Sequence, residues 1–235
     1  MNDFDEGGLS FTAPNQIISS VEEEKDYSGY TLLIHPDFLR GYPLATKIKT
    51  FGFFSYAVNE ALFLSDKEKQ VIFSILDNVK EELNSRIDDF SQDVVISHIE
   101  VLLNYSNRFY KRQFLTRKAV NNDLLTEMES LLSQYFEHKI TLDKGLPTVE
   151  YLAGQLKLSP RYLSDMLRSI TGQNAQQHIH EKLIEKAKDY LTTTSLSVAE
   201  IAYHLGFEHP QSLNKLFKKK TNQTPVQFKQ SFHNN

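Results

Sequence analysis

The last third of the chain carries one pattern twice. TVEYLAGQLKLSPRYLSDMLRSITGQNAQQH (residues 148–178) aligns with SVAEIAYHLGFEHPQSLNKLFKKKTNQTPVQF (197–228) once a single residue is inserted near the second turn. Val149 then falls on Val198, Ala153 on Ala202, Leu156 on Leu205, Leu163 on Leu213, Thr171 on Thr221, Gln173 on Gln223 and Gln177 on Gln227. A repeat at this spacing demands two copies of one supersecondary unit, so the end of the chain must hold two similar helical corners.

Each copy spells out its own corner. In the first, Thr148 caps a short helix whose inner face is Leu152, Ala153 and Leu156, and the small Ala153 lets a second helix cross closely. Lys157-Leu158 forms the turn with Leu158 as an apolar plug. Ser159-Pro160 is an N-cap followed by proline at the first helical position. The helix it opens runs over 160–170, burying Leu163, Leu167 and Ile170 and exposing Arg161, Tyr162, Ser164, Asp165 and Arg168. In the second copy Ser197 caps, Ile201, Ala202 and Leu205 pack, and Gly206-Phe207 makes the turn, glycine supplying a positive φ and Phe207 the plug. His209-Pro210 opens a helix over 209–220 that buries Leu213, Leu216 and Phe217 and exposes Gln211, Ser212, Asn214, Lys215, Lys218 and Lys219. Thr224-Pro225 starts a last short helix. The stretch 175–191 between the copies is an almost pure helix former, about 26 Å long at roughly 1.5 Å per residue.

Those exposed faces have a chemistry. Arg, Lys, Asn and Gln pair with purine edges in the DNA major groove, and Lys neutralises phosphates. One helix-turn-helix shape is weak evidence, since many bundles contain such corners. Two copies with matching plugs, caps and Thr-x-Gln tails, held by a rigid spacer, suit two major-groove segments close to one turn of DNA apart, about 34 Å. The first copy, with Arg161, Asp165 and Arg168, is expected to discriminate bases, and the second, with amides backed by three lysines, to anchor phosphates. His209 reaches a phosphate or base edge, or simply starts its helix. Asp165 either accepts from a cytosine amino group or repels phosphate; the latter would suit a small-molecule-binding or interaction protein that has lost DNA binding.

The charge is divided. Residues 141–235 hold 12 basic and 8 acidic side chains, net +4, whereas 1–140 hold 14 and 22, net −8. Two domains with different partners would explain the difference. The absence of cysteine excludes disulfides and thiolate metal sites and suits a reducing cytoplasm. No apolar run is long enough for a membrane span, and MNDFDEGG does not read as a signal peptide.

The first part is mixed. GGLSF, QIISSV, YTLLIH and FGFFSYAV within residues 7–60 have the composition of strands, punctuated by Pro14-Asn15 and Gly41-Tyr42-Pro43. From Ser65 the period becomes helical: Ser65 and Glu68 have capping-box spacing, and Ile72, Ile75, Leu76, Val79 and Leu83 mark one face. A second helix starts near Ser91 with Val95, Ile99, Leu102 and Leu103 inward. Residues 108–122 are polar and weakly periodic and read as a linker. A helix over 123–138 follows, with Leu124, Leu125, Met128, Leu131, Leu132 and Phe136 on its apolar side, and TLDKGLP (141–147) closes it. The fold class expected is mainly α with a small β portion.

Residues from about 123 to 233 resemble the DNA-binding domain of the AraC/XylS family of bacterial transcription regulators. The family's A-x-x-x-G-F, F-K-K and T-P-x-x-aromatic elements fall on Ala202, Gly206, Phe207, Phe217, Lys218, Lys219, Thr224, Pro225 and Phe228. NAQQHIHEKLIEKAKDYL (174–191) is similar to the linker helix common in Bacteroidetes members. Asn222 departs from the usual glycine after the recognition helix, and asparagine tolerates the left-handed backbone needed there. The resemblance implies double-stranded promoter DNA as partner, with RNA polymerase as a further candidate. It also implies an amino-terminal cupin-like jelly roll, for sensing a ligand or for dimerising, followed by two helices. Residues 1–107 match only its final strands and those helices, so the chain is either truncated at its amino terminus or built with a minimal sensor. A homodimer would form through 65–107; an effector is left open.

Other chemistry finds little support. His178 and His180, two residues apart on a helix, face about 200° apart and suit an exposed polar pair better than a shared metal. His204 lies near the second turn. Asp88-Asp89 suits a polar turn, and Glu22-Glu23-Glu24 a solvated charge run. No phosphate loop, nucleophile elbow or metal cluster is written in the chain, so no catalytic residue, cofactor or enzymatic activity is expected.

Overall fold

The computed structural model describes residues 7–16, 29–138 and 140–233. Two units divide the chain, Met1–Thr116 and Arg117–Asn235. Both are mainly helical. Among the described residues no helix is long and apolar enough to cross a membrane.

In the first unit, β1 (Gly8–Leu9) pairs antiparallel with β2 (Leu62–Phe63), Gly8 opposite Phe63 and Leu9 opposite Leu62. This is the one sheet among the described residues. A short helix α1 (Leu44–Lys47) and four 3-10 turns lie between the strands. The strand reading of FGFFSYAV is therefore corrected: Gly52–Ser55 and Val58–Glu60 are 3-10 turns. The reason lies in the aromatic spacing. A strand sends alternate side chains to opposite faces, but Phe51, Phe53 and Tyr56 are all buried in one cluster. Phe53 stacks on Tyr110 at 5.6 Å, and Tyr56 meets the same ring edge-on at 5.1 Å. YTLLIH is also not a strand; Leu33 is 87% exposed and no neighbouring strand pairs with it among the described residues. Most of QIISSV lies outside the described residues.

Two long helices complete this unit. Ser65 caps α2 (Asp66–Asn84): its Oγ accepts from Glu68 N at 3.4 Å while Glu68 Oε2 accepts from Ser65 N at 2.9 Å. Ile72, Ile75 and Val79 are buried, whereas Leu83, at the end of the expected stripe, is 57% exposed. Asp88 Oδ1 accepts from Phe90 N at 2.8 Å in the polar turn before α3 (Ser91–Thr116). That helix runs through the stretch read as a linker, a second correction. Its Phe109, Tyr110 and Phe114 are buried, and its polar residues are engaged rather than solvated. Gln113 accepts from Phe63 N at 2.8 Å and donates to Ala61 O at 3.2 Å, so it satisfies the free edge of β2. Arg112 grips Glu68 through two bonds, 3.0 and 2.5 Å, and donates to Phe63 O. Low hydrophobic periodicity there reflects side chains hydrogen-bonding a strand edge.

The second unit opens with α4 (Lys118–Glu137), which starts five residues before its expected position and buries Met128, Leu132, Tyr135 and Phe136. The short α5 (Ile140–Lys144) follows where only a closing turn was expected. Then come α6 (Val149–Gln155), α7 (Pro160–Thr171), α8 (Ala175–Thr193), α9 (Val198–His204), α10 (Pro210–Thr221) and α11 (Pro225–His233). The core gathers around α8, whose Ala175, Ile179, Leu183, Ala187 and Leu191 are at most 1% exposed.

Candidate nucleic-acid interface

The two corners repeat at the level of single hydrogen bonds. Thr148 Oγ1 accepts from Tyr151 N at 3.1 Å to start α6, and Ser197 Oγ accepts from Glu200 N at 3.2 Å to start α9. Glu200 also accepts from Ser197 N at 2.8 Å, completing a capping box that the first copy lacks at Tyr151. Leu158 N bonds Ala153 O and Phe207 N bonds Ala202 O, both at 2.9 Å. Lys157 (φ 57°) and Gly206 (φ 90°) occupy the same left-handed turn position. The Thr-x-Gln tails are structural. Thr171 and Thr221 each donate to the helix carbonyl four residues back at 2.8 Å and accept from the Gln173 or Gln223 amide. Gln177 and Gln227 then cap the next helix, accepting from Asn174 N and Thr224 N. Asn222 adopts the left-handed backbone (φ 60°) held by Gly172 in the first copy.

The turn of the second corner is enclosed by α5. Thr141 Oγ1 donates to His204 O at 2.7 Å, and Tyr135 Oη donates to Gly145 O at 3.1 Å. A Cβ placed on Gly206 would lie 2.6 Å from Gly145 C and 2.8 Å from Gly145 O. Glycine is required there twice over, by its backbone angle and by the wall beside it.

On α7 the structure corrects one expectation. Tyr162 is only 7% exposed and lies with Leu163, Met166 and Leu167 on the inner face. Met166 sets this: its burial pulls in the residue four positions earlier on the same stripe. The remaining candidates form a chain of charge. Arg161 Nε donates to Asp165 Oδ2 at 2.9 Å, and Arg168 Nη1 donates to Asp165 Oδ1 at 3.3 Å. The Asp165 side chain is 17% exposed, while those of Arg161 and Arg168 are about half exposed, 49% and 54%. Ser164 is half-buried beside them.

On α10 the candidates are open. Gln211, Ser212, Asn214, Lys215, Lys218 and Lys219 are all exposed, and Leu213 and Phe217 are fully buried beneath them. Among the described residues these six side chains make no hydrogen bond or ion pair. His209 occupies the N-cap and is exposed, with no side-chain cap bond. Lys220 points elsewhere, toward Glu181 on α8 at 3.6 Å. Burial, with Lys220 and Lys219 nearby, pushes the His180 imidazole below its ordinary pKa. His178 meets Thr171 Oγ1 at 3.0 Å and His180 meets Gln176 at 3.0 Å, so the two rings turn to different partners.

A protein-family model described as a helix-turn-helix domain matches residues 152–231. The HTH-type transcriptional activator RhaS of Salmonella schwarzengrund (strain CVM19633) is 28% identical over 160 residues, which cover 67% of this chain and 55% of that protein. The chain thus spans about half the length of the curated relatives it matches. Two solved structures are similar to parts of it. The C-terminal domain of the two-component response regulator yesN from Fusobacterium nucleatum is 35% identical, covering 43% of this chain and 96% of that one, with a TM-score of 0.37. A transcriptional regulator with an AraC-type DNA-binding domain from Chromobacterium violaceum is 20% identical, covering 48% and 96%, with a TM-score of 0.41.

Residues 152–231 thus match a helix-turn-helix domain family.

The repeated corner accounts for features that are separate in sequence. Of the positions that carry the resemblance, Ala202, Gly206, Phe207 and Phe217 are buried, half-buried or walled in, while Lys218 and Lys219 stand out in solvent. Conversely, Met166, Glu200 and Glu181 matter to the geometry and were not singled out. Met166 could have been found from its i, i+4 relation to Tyr162, and Glu200 from its capping-box distance to Ser197. Glu181 meets its partners only through tertiary packing.

Proposed function

We propose that this protein is a sequence-specific DNA-binding transcription regulator of the AraC/XylS type, reading two successive major-groove segments with α7 and α10. The observation that carries this reading is the exposed set on α10: two amides and three lysines on a helix that is held rigidly from below by Leu213 and Phe217. Amides supply paired donors and acceptors for adenine edges, and lysines neutralise phosphates. A matching helix, α7, presents two guanidiniums, and α8, about 28 Å long at roughly 1.5 Å per residue, separates the corners. The carboxylate of Asp165, which alone favoured a protein that has lost DNA binding, is engaged by two arginines.

Selection of the full-length protein from random duplexes tests the reading. The expected result is two enriched blocks whose centres lie about one helical turn, roughly 10 base pairs, apart. Asn214→Ala is expected to lose about 1–3 kcal/mol of discrimination at one base pair within one block and leave the other block intact. A pool that enriches no sequence sinks the proposal.

In the same reading the first unit serves as a cupin-like sensor or dimerisation region, with β1 and β2 among its strands and α2 and α3 the helices after them. Residues 65–107 then hold the homodimer contact. Exposed Leu83 (57%), Ile87 (76%) and Phe90 (70%) at the α2–α3 turn support a protein contact there. Sedimentation of the full chain at micromolar concentration is expected to give a dimer, and Ile87→Glu with Phe90→Glu a monomer; two monomeric profiles would remove the contact from 65–107.

A further inference from the structure

We infer that Asp165 is a positioning residue for base readout: it holds Arg161 and Arg168 as a preordered pair that reads two guanines. The inference rests on the DNA-binding reading above and adds what the first corner recognises and how.

The three residues form one stripe on α7. Arg161 and Arg168 are seven positions apart, two helical turns, so they share an azimuth and stand about 10.5 Å apart along the axis. That is close to three base steps of about 3.4 Å. Asp165 sits between them, four residues after one arginine and three before the other, and each of its oxygens takes one guanidinium. The carboxylate is the less exposed partner, so it lies low on the helix with the guanidiniums fanning outward from it.

The donor inventory shows what this leaves. Arginine has five N–H groups, and bidentate recognition of guanine O6 and N7 uses two from adjacent nitrogens. Arg161 gives up Nε–H and keeps the end-on pair, Nη1 and Nη2. Arg168 gives up one Nη1–H and keeps the side-on pair, Nε and Nη2. Each therefore retains one complete fork while its long side chain is restrained before DNA arrives. Arginine carries large rotamer freedom, and order established in the free protein is not lost again on binding. The stripe as a whole carries a single net positive charge, which limits its attraction to phosphate at random sites.

The second recognition helix lacks this device. Gln211, Lys215 and Lys218 stand at the positions equivalent to Arg161, Asp165 and Arg168, and no carboxylate braces them. Thermal stability is also a poor explanation for Asp165, because exposed ion pairs on one helix contribute little to folding.

The test uses the full-length protein, its selected site and a scrambled duplex of equal length. Asp165→Ala frees both guanidiniums and removes a negative charge. It is expected to raise affinity for the scrambled duplex several-fold, steepen the salt dependence by about one phosphate, and cut the preference for the selected site at least tenfold. The lost preference should fall at the same two base pairs, about three steps apart, that Arg161→Ala and Arg168→Ala each relax singly. Asp165→Ala in the background lacking both arginines should then change preference by less than twofold. Asp165→Glu, which can still reach one guanidinium, should retain preference at one of the two positions. Loss confined to a single cytosine position would make Asp165 a direct reader and overturn the inference, as would an unchanged preference in Asp165→Ala. A parent protein that selects no site overturns the DNA-binding reading itself, a result distinguishable from either of these.

Discussion

Gly206→Val is expected to destabilise the second unit by roughly 3–5 kcal/mol. Two independent costs combine. A β-branched residue forced to a φ of 90° incurs about 1–3 kcal/mol of backbone strain. Its Cβ would also enter the space held by Gly145, whose carbonyl carbon lies 2.6 Å from the ideal Cβ position; such overpacking typically costs about 1–3 kcal/mol. The obstacle is backbone, tied down by the Tyr135 and Thr141 hydrogen bonds, so no side-chain rotation relieves it. Lys157→Gly is the control, because the equivalent turn already accommodates a side chain at φ 57°. It is expected to be stabilising by no more than about 1 kcal/mol, through relief of left-handed strain. Urea denaturation of the full chain followed by circular dichroism checks both, and a Gly206→Val variant as stable as the parent would show that the wall formed by Gly145 does not matter.

Neutralising the lysines of α10 should affect binding without affecting folding. Lys218→Ala together with Lys219→Ala is expected to lower affinity at least about a hundredfold at moderate salt, because each hydrogen bond to a charged phosphate contributes roughly 1.5 kcal/mol or more. The weakening should be similar on all sequences, and the slope of log affinity against log salt should flatten by about 1.8. Lys220→Ala should do much less, since that side chain turns back to Glu181. Fluorescence anisotropy across a salt series distinguishes these outcomes. An unchanged slope in the double variant would place the phosphate-binding groups elsewhere.

The second unit was the legible part because its instructions are local. Caps at Thr148, Ser159 and Ser197, the Pro160 and Pro210 starts and the Gly206 turn each act within a few residues, and all of them operate in the structure. Tyr162 misled because an aromatic hydroxyl suits either a wet or a dry face, and only the packing of Met166 decides which. Asp165 was visible as a charge, but its two partners depend on rotamers. The first unit was less legible for a different reason. Phe51, Phe53 and Tyr56 have strand composition yet pack together on Tyr110, a residue more than fifty positions away in sequence. Arg112 and Gln113 look like linker residues until the edge of β2 is beside them.

Glu181 lies on α8 between the two corners. Its Oε1 accepts from Gln173, just beyond the first recognition helix, at 2.6 Å and faces Lys220, near the end of the second, at 3.6 Å. With the buried stripe of α8 beneath it, this bridge ties both corners to one helix. On the proposed DNA-binding reading, avidity is expected from that shared scaffold. Once α7 is seated, α10 would meet its groove at a high effective concentration, and two modest half-sites would combine into one tight one. The same coupling makes half-site spacing unforgiving: inserting a few base pairs between the blocks would remove the avidity while leaving every individual contact available.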